Sequence, residues 1–149
     1  MTDLANRALF DALQSVNRKL RAVFDAKVKE HGLTLSRARA LFALSRRDGL
    51  NQRELAEELA IETPTIVRLL DGMEAQGFIE RRVEKSDRRA KQIHMTPMGR
   101  ALAEEIEVIA CGIRADLLSG VSLQDKETAL AVMTAMADNM ILIGRESVS

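Results

Sequence analysis

The sequence predicts a mainly α-helical chain organised around a single β-hairpin. Apolar residues recur at helical spacing through most of its length. Aromatic residues make up only 3% of the 149 residues, four Phe with no Trp or Tyr, so the core must be built from Leu, Ile, Val, Ala and Met. Both prolines follow a threonine, at Thr63-Pro64 and Thr96-Pro97. A threonine cap followed by proline at the first helical position marks a helix start rather than a loop. With 46% hydrophobic and 30% charged residues the chain reads as one folded domain.

The elements follow in order. Leu9, Leu13, Val16, Leu20 and Val23 step by four and three, a helical seam with coiled-coil-like spacing. Gly32 is placed to end that helix. A second helix follows Thr34 and turns Ala38, Leu41, Phe42 and Leu44 inward, and Asp48-Gly49 is a turn signal. Asn51 with Glu54 forms a capping-box pattern that opens a short helix burying Leu55 and Leu59. Thr63-Pro64 starts another, with Ile66, Leu70 and Met73 inward and Gly77 at its end.

FIERRV then alternates, with Ile79, Arg81 and Val83 on one face, and QIHM places Ile93 and Met95 similarly. Thr96-Pro97 opens a long helix with Leu102, Ile106, Ile109 and Ile113 in its seam. Gly120 breaks it. Ser122 with Asp125 opens the last helix, carrying Leu130, Met133, Ala137 and Met140. The order is that of a winged helix-turn-helix with long N- and C-terminal helices. The helix-turn-helix occupies about 51–76 and the wing about 78–96, within a lobe of residues 34–100. Residues 1–33 and 101–149 form the flanking helical region.

The formal net charge is zero, but charge is segregated: residues 34–50 carry +3, residues 78–100 carry +4 and residues 101–149 carry −5. KSDRRAKQIHMT, from Lys85 to Thr96, concentrates Lys85, Arg88, Arg89 and Lys91 at the hairpin tip. Two short helices joined by a tight turn fit a helix-turn-helix, whose second helix enters the major groove by its N-terminal residues. Those residues are Thr63, Pro64, Thr65 and Arg68, with Arg68 the long donor suited to guanine. A plain helical hairpin has the same spacing.

At the tip, Arg88 and Arg89 can reach a narrow minor groove, and Asp87 can steady an arginine through a charge-assisted pair. Charge that merely protects a solvated edge gives the same composition.

Other classes fit poorly. No apolar run of 18 residues exists, so no membrane span is expected. The N-terminus lacks the apolar core of a secretory signal, and the single Cys111 points to a reducing cytoplasm. Cys111, among Ile109, Ala110 and Ile113, reads as a buried structural thiol. His31 and His94 lie far apart, His94 reads as a half-exposed packing residue, and no spacing suits a metal or a phosphate loop. Neither catalysis nor a cofactor is expected.

Taken together, AIETPTIVRLLDGMEAQGFIERR and SDRRAKQIHMT resemble the MarR-type winged-helix transcriptional regulators, and within them the SlyA/RovA-like branch. The resemblance runs from about residue 8 to 145. It implies a regulator of double-stranded DNA whose wing pattern Asp-x-Arg-x-Lys falls on Asp87, Arg89 and Lys91, with Arg89 in the minor groove. Ser36 and Arg37 are plausible contacts to the DNA backbone.

The terminal seams exceed what the lobe needs for its own core. The resemblance implies a homodimer joined through Leu9, Leu13, Val16, Ile106, Ile109, Ile113, Met133, Ala137 and Met140, which reads a palindrome; helices bundled within one chain are the alternative. The resemblance further implies a small aromatic carboxylate effector near Arg18, Arg21 and Thr34. Ala38 stands where that branch commonly has a bulky aromatic. The alternative function is a winged-helix adaptor that binds protein and not DNA.

Overall fold

The computed structural model describes residues 1–83, 85–86 and 90–146. Within them lie α1 (Thr2–Lys29), α2 (Leu35–Arg46), α3 (Gln52–Leu59), α4 (Thr63–Ala75), β1 (Ile79–Val83), β2 (Lys91–Met95), α5 (Pro97–Leu117) and α6 (Leu123–Glu146). The chain divides into two compact units, residues 1–113 and the remainder from Arg114. Mainly helical with one hairpin, it is the winged helix-turn-helix with long terminal helices that the sequence predicts.

In the first unit local chemistry sets the boundaries. Gly32, at φ +74°, ends α1 in a paired-bond cap: its own N–H reaches the Lys29 carbonyl at 3.0 Å and the Leu33 N–H reaches that of Val28 at 3.1 Å. Thr34 caps α2 by accepting from the Arg37 N–H. The capping box of α3 is complete: Asn51 Oδ1 accepts from the Glu54 N–H at 2.8 Å, and a Glu54 carboxylate oxygen accepts from the Asn51 N–H at 3.3 Å. Thr96 Oγ1 accepts from the Gly99 N–H at 3.1 Å and donates to the Gly77 carbonyl, so one side chain closes α4's exit and opens α5.

Leu41, Leu44, Leu55, Ile66, Leu70 and Met73 form the centre of the core, with Ile79 and Ile93 roofing it from the hairpin. Phe24 of α1 meets Phe42 of α2 with ring centroids 5.8 Å apart, which seats α1 on the lobe. The hairpin is antiparallel, in the register Ile79 to Met95, Arg81 to Ile93 and Val83 to Lys91. The other edge of β2 is occupied as well. The Ile93 N–H donates to the Leu50 carbonyl at 2.8 Å, and the Gly49 N–H donates to that of Ile93 at 3.0 Å.

Several expectations are corrected. Thr63 is the first residue of α4 and not its cap; Glu62 caps it with its backbone carbonyl, which accepts from the Ile66 N–H at 3.0 Å. Pro64 therefore sits one position deeper, still where a missing N–H costs nothing. Val83 shares the inward phase of Ile79 but is exposed, because the strand has by then run past the helices beneath it. Cys111 is exposed and not buried. The buried face of α5 passes through Ala103, Ile106, Ala110 and Ile113, and Cys111 lies about 100° round the helix from Ala110.

In the second unit, Ser122 caps α6 by accepting from the Asp125 N–H at 3.1 Å. Leu130, Met133 and Met140 are exposed, as are Val132, Ile141, Leu142 and Ile143 on its other sides.

Where α5 begins, helix and hairpin meet without an intervening side chain. A Cβ at Gly99 would lie 2.0 Å from the Phe78 carbonyl oxygen. Gly99→Ala therefore forces backbone apart and should cost about 3 kcal/mol, the upper part of the overpacking range. Urea unfolding of the two proteins reads this as a lowered midpoint.

Candidate nucleic-acid interface

The turn between α3 and α4 is three residues long, Ala60 to Glu62. Ala60 takes the left-handed conformation at φ +52°, and the Ile61 N–H returns to the Ala56 carbonyl at 3.1 Å. This closes α3 and redirects the chain at once into α4. Because α4 buries Ile66, Leu70 and Met73, its opposite face must point outward, and Thr63, Pro64, Thr65 and Arg68 are all exposed on it. No side chain caps the start of α4, so its first-turn N–H groups stay available to an external acceptor. Arg68 pairs with none of the described residues, which leaves its guanidinium free to donate.

The surrounding arginines are differently employed. Arg37 leaves α2 to donate to the Gln76 side chain at the end of α4, and a Cβ at Gly72 would meet its Nη2 at 3.0 Å. Ser36, one residue earlier, is exposed. Arg81 on β1 reaches Asp71 at 2.7 Å and Glu74 at 3.5 Å, both on α4. Lys91 is exposed at the start of β2. A cleft of about 610 Å³ runs between α3, α4 and the hairpin, with Gln52, Arg53, Asp71, Arg81 and Lys91 among its walls. Asp87, Arg88 and Arg89 lie outside the described residues.

The expected effector residues lie on α1 and at the cap of α2. Arg18 and Arg21 are exposed on α1, while the Thr34 hydroxyl is engaged as the α2 cap. Burial, and after it the charge of Arg21, pushes the Arg39 guanidinium below its ordinary value. Arg39 also donates to the Leu59 carbonyl at 3.2 Å.

Of the expected dimer residues, Leu9, Val16, Met133, Ala137 and Met140 are exposed and Leu13 and Ile109 are half-buried. Ile106 and Ile113 are already buried within the chain, Ile106 in the same core as Ile66 and Leu70.

Sequence reasoning missed the cluster at the hairpin root. The Asp48 carboxylate accepts from the Met95 N–H at 3.2 Å and from Arg100 Nη2 at 3.1 Å, and it contacts His94 Nδ1 at 3.1 Å. The other ring nitrogen of His94 lies 3.0 Å from Gln92 Oε1. Only an aspartate preceding a turn glycine was visible in sequence, 46 residues from His94.

Burial raises the Asp48 carboxyl, but the His94 and Met95 hydrogen bonds and the His94 and Arg100 charges together hold it below its ordinary value. A depressed folded value means that ionised Asp48 favours the folded state. That contribution is complete above the ordinary carboxylate value and is lost as pH falls through the lower folded one. Asp48→Asn should cost about 1–2 kcal/mol near pH 7, the loss of charge-assisted bonds. The gap to the parent protein should close in acid denaturation, below the ordinary carboxylate range.

Comparison with known proteins agrees with this geometry. The MarR family model matches residues 31–90, which include α2, α3, α4 and β1. The transcriptional regulator PA3341 superposes with a TM-score of 0.81 at 37% identity, covering 89% of this chain and 97% of its own. A MarR-family transcriptional regulator from Silicibacter pomeroyi matches at 26% identity and TM-score 0.76, over 86% of each chain. MepR of Staphylococcus aureus, in its complex with DNA, matches at 27% identity and TM-score 0.75, over 87% of this chain and 95% of that one. By its helix-turn-helix, its hairpin and its near full-length likeness to PA3341, the chain belongs to the MarR family of transcription regulators and not to a class of enzymes.

Proposed function

We propose that this regulator binds double-stranded DNA as a homodimer on palindromic operators, in the cytoplasm. The observation that carries the reading is the outward face of α4, where Thr63, Thr65 and Arg68, which pairs with none of the described residues, stand clear of the core. The MepR complex supports it, since a protein of this fold is there bound to DNA. In this reading α4 lies in the major groove. The tip, with Arg88 and Arg89 steadied by Asp87, lies against the minor groove, as the SlyA/RovA-like wing pattern implies. Ser36, Arg37 and Lys91 contact the DNA backbone.

Dimerisation is supported by the terminal helices. α1 exposes Leu9, Val16, Leu20 and Val23, and α6 exposes apolar side chains round more than one side. A helix apolar on all sides is normally buried, and contiguous exposed apolar surface marks an interface. A second copy supplies matching faces and sets two α4 helices against two half-sites.

Met133→Asp should convert the dimer to monomer or weaken it at micromolar concentration, read by sedimentation, and should weaken DNA binding with it. A stable folded monomer of the parent protein would overturn the assembly. Fluorescence anisotropy, on a duplex selected from a randomised pool and on a scrambled one, tests the DNA reading. Binding should fall steeply with salt. Arg68→Ala should relax preference at one base pair per half-site, by about 1–3 kcal/mol. Arg89→Ala should weaken both duplexes, roughly a hundredfold, if each minor-groove contact contributes about 1–2 kcal/mol, counted twice in a dimer. Parent-like binding by both variants would sink the reading. Salicylate added to the same assay should release DNA from the parent and less from Arg21→Ala if Arg18, Arg21 and Thr34 take an effector.

A further inference from the structure

Arg81 sits in the middle of β1, opposite Ile93 in the register, within a hairpin otherwise rich in outward bases. Its side chain is only 18% exposed and turns inward, away from the solvent face taken by Arg82. There it bridges one turn of α4, with Nη2 on Asp71 at 2.7 Å and Nη1 toward Glu74 at 3.5 Å. The two carboxylates remain 60% and 43% exposed. Asp71 follows Arg68 by three residues, so it lies beside the face that α4 turns outward.

Two ionised acids at that position oppose a polyanion. A planar guanidinium that meets both cancels their charge and fixes the separation of strand and helix, which a single ammonium cannot do with the same geometry. With both Nη groups engaged by Asp71 and Glu74, Arg81 is not posed for phosphate. We propose that Arg81 is a positioning residue for DNA recognition: it locks the hairpin to α4 through Asp71 and Glu74 and masks their charge, without touching DNA.

The inference rests on α4 being the recognition helix, and the experiment separates the two. Anisotropy is measured on the pool-selected duplex at several salt concentrations for the parent, Arg81→Gln, Arg81→Met and Arg81→Met/Asp71→Asn/Glu74→Gln. No salt-sensitive binding by the parent would defeat the DNA reading itself, and this inference with it. Given parental binding, Arg81→Gln and Arg81→Met should bind at least tenfold more weakly with an unchanged salt slope, because no phosphate contact is lost. Removing both acids in the triple variant should restore affinity to within about threefold, since the repulsion is gone.

Arg81→Gln keeps a polar partner for Asp71 and serves if the methionine variant unfolds. Two results overturn the inference. One is a salt slope lowered by about one per half-site with no recovery in the triple variant, which makes Arg81 a phosphate contact. The other is parental affinity in Arg81→Gln, which makes the pair incidental.

Discussion

The outward-facing parts of this lobe depend on one strand pinned by its inward side chains. β2 is hydrogen-bonded on one edge to β1 and on the other to Gly49 and Leu50, and its Ile93 is fully buried against the helices. A strand with both edges satisfied and an apolar side chain locked in the core cannot slip by a residue without exposing Ile93 and Met95. The approach of α3, the start of α5 and the root of the tip all follow from that register. Asp48 reinforces it from the side, joining the turn before α3 to Met95, His94 and Arg100.

The electrostatic design is largely internal. Arg47 pairs with Glu54, Arg53 with Glu57, Arg82 with Glu80 and Arg81 with Asp71 and Glu74. The exposed pairs among these add little stability singly, about 0–1 kcal/mol. Their larger effect is on the external field, because they leave few bases uncommitted around α4 among the described residues. Arg68 is one of them. The net charge of residues 78–100 thus overstates what is offered to a partner, since Arg81 and Arg100 are already engaged by acids outside that segment.

What was legible in the sequence was local. Asn51 and Glu54, Thr96 and Pro97, and Ser122 and Asp125 define helix starts through contacts only three residues long, and the alternation of Ile79, Ile93 and Met95 needs only a pleat. The exposed α4 face followed from the same periodicity. The sequence did not reveal which arginine is spent on which acid, because Arg81 and Asp71 meet only after the chain reverses at Gly77. Thr63 was misplaced by one position because a backbone carbonyl, that of Glu62, needs no particular side chain to cap a helix. Cys111 lay between apolar neighbours in sequence, yet a helix turns about 100° per residue and carried it off the buried face.

The contact at Gly99 bears on how motion passes through the lobe. Where two elements meet through side chains, rotamers can absorb small displacements. Here the α5 backbone rests against the Phe78 carbonyl, which also accepts from the Thr96 N–H at 3.1 Å. Such a joint has no side chain to yield when the two are pressed together. A tilt of α5 toward the hairpin would bear directly on the backbone that leads into β1, as a stop set against a lever.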